Sequence, residues 1–140
     1  MFQTLTPNLT VEDVNACADF YLNTLGFELL VAVPLNGTES LSEIPPDRAV
    51  GFAMLKRDDV VVMLQSRASL EEDLPELAQT KIGSSISLYI KITALEDLYE
   101  AVRDKAKVVV TPRETFYGMR EFAIEDPNGY LLIFAQELGG

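Results

Sequence analysis

The sequence contains no histidine. Imidazole is the commonest metal ligand and the commonest general base near neutral pH. Its absence excludes Ser-His-Asp and Cys-His catalysis and every His-ligated zinc or iron site. Cysteine is almost as scarce: Cys17 is the single thiol, so no internal disulfide can form. Cys17 lies within a helical pattern, where a lone cysteine on the apolar face reads as core. Basic residues are few, 11 Lys plus Arg against 22 Asp plus Glu, for a net charge of −11. That balance argues against nucleic acid and anionic membranes, whose phosphates reward Lys and Arg. Long apolar runs are missing as well. Runs such as Ala49 to Leu55, Val60 to Leu64 and Tyr130 to Ala135 fall far below the roughly 20 residues that a membrane helix needs. The opening MFQTLTPNLT has neither a basic n-region nor an apolar h-region, so no signal peptide is expected. A soluble, cytoplasmic protein is the simplest reading.

What is present suits a globular fold. The chain has 140 residues, of which 48% are apolar, too many for a disordered chain. A chain of about 150 residues buries roughly 68–70% of its unfolded surface, so no disulfide or metal staple is required.

The sequence repeats itself. Val14, Cys17, Ala18, Tyr21 and Leu25 share one helical face. Eighty-one residues on, Leu95, Leu98, Tyr99 and Val102 repeat the same spacing. Asp13 is placed to cap the first helix. Thr93 and Glu96 form a T-x-x-E box that predicts the start of the second. Each helix follows a short alternating segment, residues 4–11 and 85–92. Each precedes a β-branched run, 27–33 and 107–111, that closes on Pro34 or Pro112. Two hairpins follow the same logic, 51–64 and 121–134, with Phe52 and Met63 carried onto Phe122 and Ile133 by an offset of 70. The second turns at Asp126-Pro127-Asn128-Gly129, the residue order of a type I turn. The pattern is strand, helix, three strands, then the same again. The expected organisation is a module at 1–67, a linker at 68–82 with a short surface helix or none, and a module at 83–140. Residues 37–48 form a long Pro-bearing polar loop, the kind that is either functional or mobile. Neither module covers both faces of its sheet alone, so pairing them would curve the sheets around a cleft suited to a ligand.

Three stretches resemble the vicinal oxygen chelate superfamily, which groups glyoxalase I, bleomycin resistance proteins and extradiol dioxygenases. They are Leu9-Thr10-Val11-Glu12-Asp13-Val14, then Asp19-Phe20-Tyr21 with Leu25-Gly26-Phe27, then Glu125-Asp126-Pro127-Asn128-Gly129-Tyr130. They stand in order where that family has its V-x-D opening, its F-Y-x-x-x-L-G-F run and its D-P-D/N-G turn. The resemblance implies an α+β fold of two βαβββ modules pairing into an eight-stranded curved sheet around a cleft, used as a homodimer. It also implies four ligands for one divalent metal, two per module, at positions matching Thr6, Met63, Ser87 and Ile133. In the metalloenzymes these are His, Gln or Glu. Two hydroxyls, a thioether and a hydrocarbon offer a hard cation no charged oxygen or nitrogen. A slip of two residues along the strand would bring in Gln65, but one amide does not make a site. No metal and no cofactor are therefore expected.

Strand alternation groups Thr6, Asn8 and Thr10 on one face. It likewise groups Met63 with Gln65, Ser87 with Tyr89 and Lys91, and Leu131 with Ile133 and Ala135. The candidate ligand-binding set is Thr6, Asn8, Met63, Gln65, Ser87, Tyr89, Tyr117, Arg120 and Ile133. For each there is a plainer reading: Tyr89 as a packing aromatic, Gln65 as a rim residue satisfying backbone, and Arg120 as half of an ion pair. In TFYGMRE, the other reading of Phe116, Tyr117 and Arg120 is an aromatic and cationic lip. Glu125 and Asp126 read as turn chemistry. Three functions follow. One is a metal-free binder of a small, cationic or aromatic molecule. Another is a metal-independent isomerase or lyase using Tyr89, Tyr117, Arg120 or Glu121. The last is an interaction module whose cavity is closed by its own side chains.

Overall fold

The computed structural model describes residues 1–83 and 85–139. The chain divides into two units, Met1–Ile82 and Gly83–Gly140.

In the first unit β1 (Asn8–Val11) leads into helix α1 (Val14–Asp19), which ends in a π-turn at Phe20–Thr24. Strands β2 (Glu28–Pro34), β3 (Val50–Arg57) and β4 (Val60–Ser66) follow. The sheet order is β1-β4-β3-β2, with β1 parallel to β4 and the other pairs antiparallel. Asp13 caps α1 as the sequence predicts, its Oδ1 accepting from the Ala16 N–H at 3.1 Å. At the other end Gly26 takes φ +73°, a left-handed conformation that suits glycine. Arg57 Nη1 donates to the Leu25 carbonyl at 2.7 Å, satisfying an acceptor that the helix end leaves open.

The second unit repeats the arrangement: β5 (Ser87–Lys91), helix α4 (Leu95–Val102), β6 (Lys107–Glu114), β7 (Met119–Glu125) and β8 (Leu131–Glu137). Its order is β5-β8-β7-β6, again with the first strand parallel to the last. Together the units give two four-stranded mixed sheets with few helices, an α+β fold. The register carries the internal repeat: Asn8 lies opposite Met63, and Tyr89 opposite Ile133. The offset falls from 81 at the first strand to 70 at the last, a drop of eleven residues. One connection accounts for it. Residues 35–49 join β2 to β3, fifteen residues, whereas 115–118 join β6 to β7, four residues.

One face of each sheet is covered by its helix. In the first unit Leu9, Val11, Val14, Cys17, Ala18, Tyr21, Leu55 and Leu64 are buried there. In the second, Leu95, Val102, Phe122, Ile124 and Leu132 are. Burying a side chain of this size is worth roughly 1.5–3 kcal/mol. The Tyr21 ring meets Phe27 edge-on with centroids 5.5 Å apart, and Tyr99 meets Phe122 at 5.2 Å.

One expectation needs correction. The T-x-x-E box does not start the second helix. Ala94 precedes α4 in the left-handed region at φ 53°, and the first helical N–H, that of Leu95, is taken by Gln136 Oε1 at 2.7 Å. A capping residue must be extended immediately before the helix; the left-handed Ala94 displaces Thr93 from that place. Residues 68–82, where a linker with a short surface helix or none is expected, carry most of α2 (Arg67–Asp73) and all of α3 (Pro75–Ala78), and the first unit runs to Ile82. Leu70 and Ala78 are buried, and Arg67 holds the segment through Glu12 at 2.9 Å and the Ala78 and Thr80 carbonyls.

The Asp126 turn forms as its residues predict. Gly129 N–H donates to the Asp126 carbonyl at 3.0 Å, while Asp126 Oδ1 accepts from the N–H groups of Asn128 and Tyr130.

Candidate functional site

The face of each sheet opposite its helix is where side chains can meet a ligand. Register places them in rows. In the first unit Asn8, Met63, Met54 and Val31 lie side by side, and next to them Thr10, Gln65, Phe52 and Val33. Asn8 is the polar end of the first row and Thr10 with Gln65 that of the second; the rest of each row is apolar.

The polar end is a chain of hydrogen bonds. Asn8 Nδ2 donates to Gln65 Oε1 at 2.9 Å; Gln65 Nε2 donates to Asp73 Oδ2 at 2.8 Å and to Ser69 Oγ at 3.0 Å. The carboxylate can only accept while ionised, so it fixes which way both amides point. Asn8 Oδ1 is left buried without a partner among the described residues. Thr6 precedes the strand and is half-buried.

The second unit has its own rows: Tyr89, Ile133, Ala123 and Val110, and beside them Lys91, Ala135, Glu121 and Arg113. Ser87 is exposed at the start of β5. Three polar side chains converge. Tyr89 Oη donates to Glu121 Oε2 at 2.5 Å, and Tyr117 Oη lies 2.8 Å from both carboxylate oxygens. Glu121 is 5% exposed, while Tyr89 and Tyr117 are 48% and 53% exposed. The hydrogen bonds to Glu121 push both tyrosines up, Tyr89 to about 12, with burial and the carboxylate charge adding to the shift. Both are therefore neutral donors at physiological pH.

The structure thus brings Asn8, Met63 and Gln65 together on one sheet, and Tyr89, Tyr117 and Ile133 together on the other. It separates Arg120 from Tyr117: the Arg120 guanidinium is taken by Glu96 of α4. Phe116 stacks edge-on against Tyr117 at 5.1 Å and is otherwise open to solvent. Glu121, named in the isomerase or lyase reading, is not in the candidate ligand-binding set. Its signal was a charged residue in the inward phase of a strand, two positions before the buried Ala123.

The metal that the family resemblance implies does not fit these residues. Thr6, Met63, Ser87 and Ile133 supply no charged donor, and Gln65 is committed to three hydrogen bonds. Among the described residues no group of three or more His, Cys, Asp or Glu side chains could hold a metal ion.

A groove of about 510 Å³ lies elsewhere in the first unit, between α1 and the loop at 42–46, and is lined by Asn15, Asp19, Leu22, Leu29, Ile44 and Pro45 among others. Asn15 holds that loop in place: its Nδ2 donates to the carbonyls of Pro45 and Arg48, and its Oδ1 accepts from Val50 N–H.

No curated protein is significantly similar to the chain in sequence. Solved structures match its fold along its whole length. TioX from Micromonospora sp. ML1 is 16% identical with a TM-score of 0.70, over 98% of this chain and 100% of that one. A glyoxalase/bleomycin resistance protein/dioxygenase from Nocardioides is 20% identical at 0.72, over 100% and 86%. The bleomycin-binding protein of Streptomyces verticillus, solved with copper(II)-bleomycin, is 24% identical at 0.62, over 100% and 98%. The family model of the glyoxalase/bleomycin resistance protein/dioxygenase superfamily matches residues 3–134. Both the sequence match and the repeated four-stranded units lead to one conclusion: the chain belongs to that superfamily.

Proposed function

We propose that the chain is a metal-free member of its superfamily that binds a small cationic or aromatic molecule on the open sheet faces. The observation that carries this is the identity of the four family ligand positions, Thr6, Met63, Ser87 and Ile133. Around them the faces are apolar with a few placed polar groups, the make-up of a small-molecule site. The bleomycin-binding relative supports the reading, since a protein of the same fold holds a small molecule. The net charge of −11 would concentrate a cationic ligand and disfavours nucleic acid. Among the described residues no helix is long and apolar enough to cross a membrane. A homodimer in the cytoplasm completes the proposal.

Thermal-shift screening of the purified chain against cationic and aromatic compounds, a bleomycin included, tests it. Stabilisation that rises with ligand concentration is expected. Metal analysis of the same sample is the second arm, and a stoichiometric divalent metal would overturn the metal-free reading.

A second reading is a metal-independent isomerase or lyase. It is favoured by the meeting of Tyr89, Tyr117 and Glu121, groups able to hold and move a proton. Solvent-deuterium incorporation next to a substrate carbonyl, abolished by Tyr89→Phe, is its expected signature.

A further inference from the structure

We propose that Tyr89, Tyr117 and Glu121 form a subsite for a protonated amine; the proposal rests on the small-molecule reading and specifies one chemical group of the ligand. Both tyrosine hydroxyls give their hydrogens to Glu121. Their oxygens can then only accept from outside. Glu121 is buried behind them, and its described partners are neutral. No Lys or Arg nitrogen lies within ion-pair distance of it among the described residues. Lys91, on the same face, is taken by Glu137 at 2.6 Å; Arg113, opposite Glu121 in register, makes no ion pair with it, and its charge is felt at Tyr117 as a smaller effect than the Glu121 hydrogen bond.

A buried carboxylate that lacks a cation is unfavourable. Its charge is felt outside through two polarised phenol oxygens on half-exposed rings. The group that answers this surface must carry positive charge and an N–H donor. A primary or secondary ammonium has both, and the ring faces add a cation–π contribution. A quaternary ammonium lacks the donor, an alcohol lacks the charge, and a carboxylate is repelled.

The test is calorimetric titration of the full chain near neutral pH with four probes of one shape: phenethylamine, its N,N,N-trimethyl analogue, phenethyl alcohol and hydrocinnamate. The amine is expected to bind on the order of tenfold tighter than the alcohol, the scale of one charge-assisted hydrogen bond. Glu121→Gln and Tyr117→Phe should each erase most of that preference, with far-UV circular dichroism confirming that each variant folds. Tyr117 is exposed, so its variant keeps the test valid if Glu121→Gln does not fold. An alcohol or acid that binds as tightly as the amine overturns the amine subsite and leaves the small-molecule reading standing. So does a Glu121→Gln protein that keeps the preference. If none of the four probes binds, the amine subsite falls, and the broader thermal-shift screen alone decides the small-molecule reading.

Discussion

Tyr89 on β5 reaches Glu121 on β7 at 2.5 Å although β8 runs between the two strands. On β8 Ile133 lies opposite Tyr89 and Ala135 opposite Glu121, and Ala135 is fully buried. A larger side chain beside Glu121 on that face would compete with the phenol for the space above β8.

Ala135→Leu should therefore break the Tyr89–Glu121 contact. Overpacking of this kind costs about 1–3 kcal/mol. Chemical denaturation should show a loss in that range. The Tyr89 hydroxyl, freed from the carboxylate, should ionise at lower pH than in the parent chain, read from tyrosinate absorbance.

Alkaline stability follows from the same contact. An unfolded tyrosine gives up its proton near 10, and folded Tyr89 near 12. Between those values the folded state holds more protons, so stability falls as pH rises through that window. The contribution is complete below pH 10. Denaturation midpoints measured from pH 9 to 12 should drop more steeply for the parent chain than for Tyr89→Phe. Equal slopes would show that Glu121 does not hold that proton.

Asn15 is the pin of the long loop, and three hydrogen bonds depend on it. Asn15→Ala leaves the buried Val50 N–H unsatisfied, a loss of about 2 kcal/mol. Hydrogen exchange at Val50 should accelerate, and limited proteolysis should begin to cut within 42–47. A loop that stays protected would place its restraint elsewhere.

Ala94 is held at φ 53°, where an L-residue with a Cβ is disfavoured by roughly 1–2 kcal/mol. Ala94→Gly removes that penalty and gives back part of it as unfolded-chain entropy. A net gain of about 0.5–1 kcal/mol in unfolding free energy is expected.

Local signals were legible in the sequence. The face formed by Val14, Cys17, Ala18 and Tyr21 is a matter of helical spacing, and all four are buried. Asp13 caps from three residues away, and Asp126 turns the chain within four. The repeat even carried the register, since Met63 and Ile133 take equivalent places beside β1 and β5. What failed was what topology supplies. Thr93 and Glu96 have the right spacing, but the start of α4 is decided by Gln136 on β8. Tyr89 and Glu121 lie 32 positions apart and meet across β8, a juxtaposition that only the sheet order β5-β8-β7 creates. Gln65 reads as a rim residue satisfying backbone, whereas its partners are the side chains of Asn8, Ser69 and Asp73, the first of them 57 positions away.

Gln136 has one more consequence. It donates no hydrogen bond to start α4; it receives one, from a residue 41 positions earlier in the chain. Domains are synthesised from the N-terminus, so α4 emerges well before the residue that completes its first turn. The parallel partner of β5 is β8, which also comes last. During synthesis the Leu95 N–H of α4 and the parallel edge of β5 therefore gain these native partners only once β8 has been made.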